Sequence, residues 1–284
     1  MKNTYTLILI FLFSFIMKAE VSMLEKNTLL KLYNATNGSN WSVKWDLNTP
    51  VSSWYGIVVE NDKVISIQLS NNNLVGSLPA EISNLTELKT IDLFKNSLSG
   101  AIPNTLGQLK KLEVLKLSFN SFEGIIPVAL SQATSLKTVE LFMNRLTGEI
   151  PSEIGNLTNL EVLSLYNNEI SGTIPTSIYD MKMLKVLLLN SNKINGLLDK
   201  SISNLTNLEQ LSLFDNSMQG QVPFDLEKLN NLKEMNISYN KFSGLVSKNL
   251  AKLDVLNMTM LDNQGVATTL NIALDKDKAY ASEE

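Results

Sequence analysis

The chain of 284 residues is 44% hydrophobic and 18% charged, with a formal net charge of −4, no histidine and no cysteine. The negative charge argues against a basic surface for nucleic acid or for anionic membranes. Without cysteine there is no disulfide, thiolate nucleophile or cysteine zinc site, and without histidine the usual acid–base side chain is missing. We therefore expect no enzyme, no catalytic or metal-binding residues and no cofactor.

The N-terminus has the pattern of a secretory signal peptide. Lys2 precedes an apolar run at residues 7–17, which ends at Lys18. A membrane span needs roughly 20 apolar residues, so a short membrane anchor is the weaker alternative. We predict a signal peptide at residues 1–20 and an exported protein, extracellular or in the cell envelope, with no stable membrane span after cleavage.

Residues 21–63 are predicted to form an N-terminal cap. Ser22 and Glu25 have the spacing of a capping box, which predicts a helix to about Tyr33. The same segment contains all the tryptophans of the chain: Trp41, Trp45 and Trp54. We interpret them as a cover for the apolar core of the first repeat, with sugar stacking as the alternative.

Residues 64–264 consist of about nine copies of a 24-residue repeat. Apolar residues, glycine and proline recur in fixed columns. Asparagine occupies one column in eight copies: Asn72, Asn96, Asn120, Asn144, Asn168, Asn192, Asn216 and Asn240. Repeats of this length stack on their neighbours and form a solenoid.

Each repeat begins with the pattern of a half-buried strand. In the copy at 160–168, Leu163 and Leu165 alternate with Ser164. Stacked copies are expected to form a parallel sheet with strands about 4.8 Å apart. The asparagine amide can bond to the backbone of its own turn and of the adjacent coil. Glycine permits a positive φ, and proline fixes the outer turn.

The pattern LxxLxLxxNxLxGxIPxxLxxLxx closely resembles the plant-type leucine-rich repeat. The resemblance implies a right-handed α/β solenoid with a parallel β-sheet on its concave face, helical or 3-10 turns on its convex face and a helical N-terminal cap. The stretch LYNATNGSNW…W…P…WYGI resembles the cap of such proteins, with Ser52, Ser53 and Val59 where plant members carry cysteines. The cysteine-free form is similar to secreted bacterial members of the family.

Some copies depart from the pattern. Asp199 and Ser247 replace proline, so we expect a loosened outer turn at both places. The ninth copy decays, with Thr259 at a core position and Gln264 in the asparagine column. We assign residues 265–284 to a C-terminal cap or tail.

The variable residues beside the inward leucines are expected to lie on the concave face. Large apolar side chains clustered on an exposed surface usually mark a contact site. We predict a partner-binding surface from these positions: Asp92, Phe94, Lys116, Phe119, Glu140, Phe142, Met143, Tyr166, Phe214 and Tyr239. As an alternative, the aromatic rings pack on one another and stiffen the sheet.

The carboxylates on this face raise the possibility of a glycosidase. Asp92 and Glu140 are two strands apart, about 9–10 Å, near the separation found in inverting enzymes. Lys116 lies between them and would keep both ionised, whereas a general acid must carry a proton. We therefore favour a solvated row of charges.

The sequence as a whole predicts an exported, non-enzymatic leucine-rich-repeat protein that recognises a protein partner through its concave sheet. The alternative is a surface adhesion module for glycan or, less favoured, for ice. Ice binding requires a flat and chemically regular array, and the variable columns mix aromatic, hydroxyl and charged residues.

Overall fold

One long β-sheet is built from strands between residues 57 and 236. A computed structural model describes residues 21–254, 256, 258–262 and 264–272, so the predicted signal peptide and residues 273–284 lie outside the described part. The sheet has nine strands in chain order, the first two antiparallel and the others parallel. Its strands are Ile57–Glu60, Lys63–Gln68, Thr90–Asp92, Val114–Lys116, Thr138–Glu140, Val162–Ser164, Val186–Leu188, Gln210–Ser212 and Glu234–Asn236.

The core lies between this sheet and a row of 3-10 turns on the opposite wall. Leu163, Leu187 and Leu211 are paired in register on adjacent strands and are buried. Ile178 and Leu205 fill the same core from the other wall. The turns that follow the proline column are Ala80–Asn84, Asn104–Gln108, Val128–Gln132, Ser152–Asn156, Thr176–Asp180 and Phe224–Lys228, with Lys200–Asn204 after Asp199 in the same column. These features confirm the predicted α/β solenoid.

A second row of short parallel strands follows the asparagine column, and the sequence analysis missed it. Its strands form two groups of four: Val75–Gly76, Ser97–Ala101, Ser121–Ile125 and Arg145–Thr147, then Ser171–Gly172, Lys193–Leu197, Ser217–Gln221 and Lys241–Ser243. The repeat glycines lie in these strands or directly after them, at positive φ, as at Gly100 (φ +78°). Glycine in this column therefore supplies the positive φ that the sequence predicted.

The repeat asparagines join each coil to the one before it. The Asn144 Nδ2 donates to the carbonyls of Leu141 at 2.9 Å and Leu117 at 3.1 Å. Its Oδ1 accepts the N–H of Phe122 at 2.9 Å. The other repeat asparagines from Asn96 to Asn240 make the same set of bonds. One partly buried amide thus satisfies backbone groups on two coils.

The expected loosening at the two positions without proline is wrong. Asp199 has φ −72° and ψ 144°, close to the φ −66° and ψ 137° of Pro175. Its carboxylate accepts the N–H of Ser201 at 2.7 Å. The Ser247 hydroxyl accepts the N–H of Leu250 in the same way and begins the short helix Lys248–Ala251. A side-chain cap replaces the rigidity of proline.

The N-terminal helix spans Met23–Ala35, and half of its predicted capping box is formed. The Ser22 Oγ accepts the N–H of Glu25 at 3.3 Å. The buried Glu25 carboxylate instead accepts the N–H of Val64 at 3.4 Å and lies 3.4 Å from the Lys63 ammonium. The short turn Gly38–Asn40 is followed by Trp41, and the short turn Val51–Ser53 is followed by Trp54. All three tryptophans are buried, which excludes sugar stacking on them.

The ninth copy leaves the repeat pattern. Leu256 is 38% exposed, although its column predicts a core residue, and Met260 is buried, although its column predicts an outward one. Asp254 takes the place of a further strand, because its buried carboxylate accepts the N–H of Ile237 at 2.8 Å. Two short pairs close this end: Thr259–Leu261 with Ala267–Thr269, and Leu245–Val246 with Asn271–Ile272. None of the described helices is long and apolar enough to span a membrane.

A row of alternating charges runs along the start of the strands. Its members, one per coil, are Lys89, Glu113, Lys137, Glu161, Lys185, Glu209 and Lys233. Ion pairs join consecutive coils, as between Lys137 and Glu113 at 2.6 Å and between Lys185 and Glu161 at 2.7 Å. Each pair is solvent-exposed and therefore contributes little by itself.

The asparagine bonds predict a large loss of stability on truncation. Replacing Asn144 with alanine leaves the N–H of Phe122 without its side-chain acceptor. It also removes one of the two asparagine donors from the carbonyls of Leu117 and Leu141, which keep Asn120 and Asn168. We expect the free energy of unfolding to fall by about 2–4 kcal/mol, measured by urea denaturation. Asn190→Ala, on the exposed side of the sheet, is the control, and an equal loss in both variants would contradict this role.

Tyr179 predicts a stability change at alkaline pH. The side chain is buried, and burial raises the pKa of its phenol to about 12, whereas an unfolded tyrosine titrates near 10. The stabilisation is therefore complete below pH 10 and is lost as the pH rises to about 12. Denaturation across this range should show an extra loss of about 2–3 kcal/mol that Tyr179→Phe abolishes. Identical pH profiles for both proteins would refute the prediction.

Candidate functional site

The outward side of the long sheet, here called the sheet face, carries the predicted contact residues. On the coil of Lys116, both Leu115 and Leu117 are buried, so the residues that alternate with them point away from the core. Register pairing places Lys116 between Asp92 and Glu140. The predicted residues of this column are therefore neighbours on adjacent strands.

Four rings on consecutive coils form one aromatic cluster: Phe94, Phe119, Phe142 and Tyr166. Phe119 meets Phe94 and Phe142 edge-to-face, with ring centroids 5.3 Å and 5.6 Å apart. Phe142 and Tyr166 are stacked at 4.3 Å with an interplanar angle of 10°. Phe119 remains 41% exposed, while the other three rings are partly buried. The rings do pack on one another, as the stiffening alternative expects, and Phe119 still faces solvent.

A separate aromatic pair lies farther along the sheet face. Phe214 and Tyr239 have ring centroids 5.2 Å apart, and Tyr239 is 38% exposed. The coil between this pair and the aromatic cluster has Asn190 and Ser191 at the corresponding positions. The structure therefore places the predicted aromatic residues in two patches and not in one continuous stripe.

The residue before each repeat asparagine has a left-handed backbone on eight coils. The φ angles are between +50° and +57° at Asn71, Lys95, Phe119, Met143, Asn167, Ser191, Asp215 and Tyr239. Asparagine and aspartate tolerate this region, whereas a bulky side chain there is strained. The two asparagines and the aspartate in this column are the sequence signal for the constraint, which the predicted contact surface did not take into account.

Most polar side chains around the aromatic cluster already have an ion-pair or hydrogen-bond partner. The Lys116 ammonium lies 3.4 Å from the Glu140 carboxylate. Asp92 accepts the N–H of Phe94 at 3.1 Å. The Met143 sulfur accepts a hydrogen bond from Asn167 at 2.6 Å. The two carboxylates of the glycosidase hypothesis therefore have separate partners and share no proton site.

The sheet face contains buried serines in columns that point outward: Ser118, Ser164 and Ser238. Ser164, expected to be exposed, is 3% exposed, and Ser118 is fully buried. The hydroxyls of both have no hydrogen-bond partner. In the part of the chain that the structure describes, no group of three acidic residues is placed to hold a metal ion.

Tyr166 links the aromatic cluster to its charged border. Burial among the rings raises the pKa of the Tyr166 phenol, and the Glu140 charge raises it further. We expect Glu140→Gln to lower this pKa without restoring the ordinary value, because burial is the larger cause. NMR titration of the Tyr166 ring measures the change, with Asp92→Asn as the control. A pKa unaffected by Glu140→Gln would contradict the assignment.

The chain belongs to the leucine-rich-repeat family. Models of a leucine-rich repeat region, and of leucine-rich repeats, match residues 141–271, 88–146 and 63–85. The chain is similar to polygalacturonase inhibitor 1 of Arabidopsis thaliana, at 32% identity over 41% of this chain and 38% of that protein. It therefore spans about two fifths of that relative.

Solved structures share the architecture. The crystal structure of PEPR1–AtPEP1 is 32% identical, with a TM-score of 0.74 over 84% of this chain and 34% of that one. A plant ice-binding protein aligns over 90% of this chain and 99% of its own, with a TM-score of 0.62. At 22% identity, the second likeness concerns the fold alone.

Proposed function

We propose that this chain is an exported, non-enzymatic recognition protein that binds a protein partner on its sheet face. The observation that carries the proposal is the conformation of Phe119 and Tyr239. Both are among the most exposed aromatic residues of the sheet face, and both occupy the strained left-handed position. Strain of this kind tends to persist at ligand contacts.

The family comparisons support a proteinaceous partner. A polygalacturonase inhibitor is named for its action on an enzyme, and PEPR1 was solved together with AtPEP1. Glycan adhesion has less support, because the three tryptophans are buried and the faces of Phe142 and Tyr166 cover each other. Ice binding has less still, because the two aromatic patches interrupt any regular array.

A non-enzymatic role is supported by the site chemistry. Glu140 is paired with Lys116, and Asp92 is bonded to backbone, so a water-activating carboxylate pair is not formed. Charged and aromatic residues of this arrangement suit recognition, in which the rings supply contact area and the charges orient the partner.

Substitution at the left-handed position tests the function. Phe119→Asn removes the exposed ring but relieves the strain, so the free energy of unfolding should change by less than about 1 kcal/mol. Capture of partner proteins by the immobilised chain should be lost, as measured by quantitative mass spectrometry.

Ser191→Asn is the matched control. It has the same left-handed position on a coil with no aromatic side chain on the sheet face. It should keep full capture and gain slightly in stability. Undiminished capture by Phe119→Asn would refute the proposed binding surface.

A further inference from the structure

Ser118 is a buried polar group without a partner at the centre of the aromatic cluster. The residue is completely buried on the outward side of the sheet, and its Oγ makes no hydrogen bond. Ser238, in the same column of the repeat, shows the hydrogen bonds that such a serine can make. Its hydroxyl donates to Asp254 at 3.0 Å and accepts the N–H of Thr259 at 3.0 Å. The hydroxyl of Ser118 is therefore an unused donor and acceptor.

The rings on the neighbouring coils lean together over this hydroxyl. Phe94 and Phe142 stand one coil to either side of Ser118, two strand spacings apart, which is about 9.5 Å. Their ring centroids are 6.4 Å apart, so both rings incline towards Ser118. Phe119 closes the third side, edge-on to each ring. Ser118 thus lies at the floor of a closed aromatic cluster.

To admit a flat side chain, the rings of Phe94 and Phe142, now inclined at 57° to each other, must move apart and turn face to face. A ring held between two others needs about 3.5–4.0 Å on each face, or a separation of about 7–8 Å. The required separation is larger than the present 6.4 Å between the two ring centroids and smaller than the two strand spacings, about 9.5 Å, that would separate upright rings. Phe119 is the most exposed of the three rings and has a strained backbone, so its displacement opens the way to Ser118.

From this geometry, we propose that the cluster binds a tyrosine side chain of the partner between Phe94 and Phe142, with its phenol bonded to the Ser118 hydroxyl. The inference rests on the proposed function and names the chemistry of one contact. A phenol carries its hydroxyl at the far end of a flat ring. With the ring between Phe94 and Phe142, this hydroxyl would reach the Ser118 hydroxyl. A carboxylate or ammonium group would be desolvated by the phenylalanine walls without a compensating charge.

The test compares two probes that differ by one hydroxyl, N-acetyl-tyrosinamide and N-acetyl-phenylalaninamide. Each is titrated into the protein while the NMR resonances of the Phe94 and Phe142 rings are followed. We expect both to bind with millimolar affinity and the tyrosine derivative to bind about two- to tenfold more tightly. Ser118→Ala should abolish the difference, and it should not destabilise the fold, because it removes an unpaired buried group.

Ser70→Ala, in the same column outside the cluster, is the control and should preserve the preference. Equal affinities in the unaltered protein, no shift of these rings, or a preference that survives Ser118→Ala would overturn the proposal. Larger ring shifts with methyl glucoside would also overturn it and would assign the cluster to a sugar. Loss of partner capture in Phe119→Asn, without tyrosine preference, would refute this inference alone and leave the proposed function standing.

Discussion

The partly buried asparagine carboxamide at the end of each repeat strand makes the hydrogen bonds on which the rest of this protein depends. A solenoid coil turns its backbone sharply where the chain leaves the sheet, and the turn leaves peptide groups in the core with no strand beside them. The amide of Asn144 bonds to carbonyls of two coils and accepts an N–H of the coil before. Because the same bonds recur from Asn96 to Asn240, each coil is held in register with its neighbours. Leucine burial then supplies the main stabilising free energy along a core whose geometry is already defined.

This constraint separates two kinds of position on the same strand. The turn fixes the backbone before each asparagine in the left-handed region, whatever the side chain. The fold therefore accepts Asn167 and Phe119 in the same conformation, although the second is much less suited to it. A bulky residue at such a place does not help the coil to form. The aromatic residues at Phe119 and Tyr239 are for this reason better explained by what they present to solvent than by what they do for the fold.

Much of the architecture was predictable because the period of 24 residues reports directly on stacking. The inward leucines, the role of asparagine, the positive φ of glycine and the buried tryptophans all follow from side-chain chemistry at fixed spacing. The incorrect predictions have a common cause, which is that one type of side chain can take over the structural role expected of another. Asp199 and Ser247 cap turns that proline fixes elsewhere, and Glu25 bonds across to Val64 in place of its own helix. For the candidate site, the columns gave the right neighbours. They could not give the ring angles or the burial of Ser118, which depend on how side chains lean in three dimensions.

The alternating charges at the start of the strands have a consequence for how such a chain can change its length. Lysine and glutamate alternate from Lys89 to Lys233, and ion pairs join the coils of Glu113 and Lys137, of Glu161 and Lys185, and of Glu209 and Lys233. Removal of a single 24-residue coil would join a lysine coil to a lysine coil, or a glutamate coil to a glutamate coil, and place like charges side by side. Removal of two coils would restore the alternation. The charge pattern therefore makes a pair of coils, not one coil, the unit by which this solenoid can be shortened or extended without electrostatic conflict.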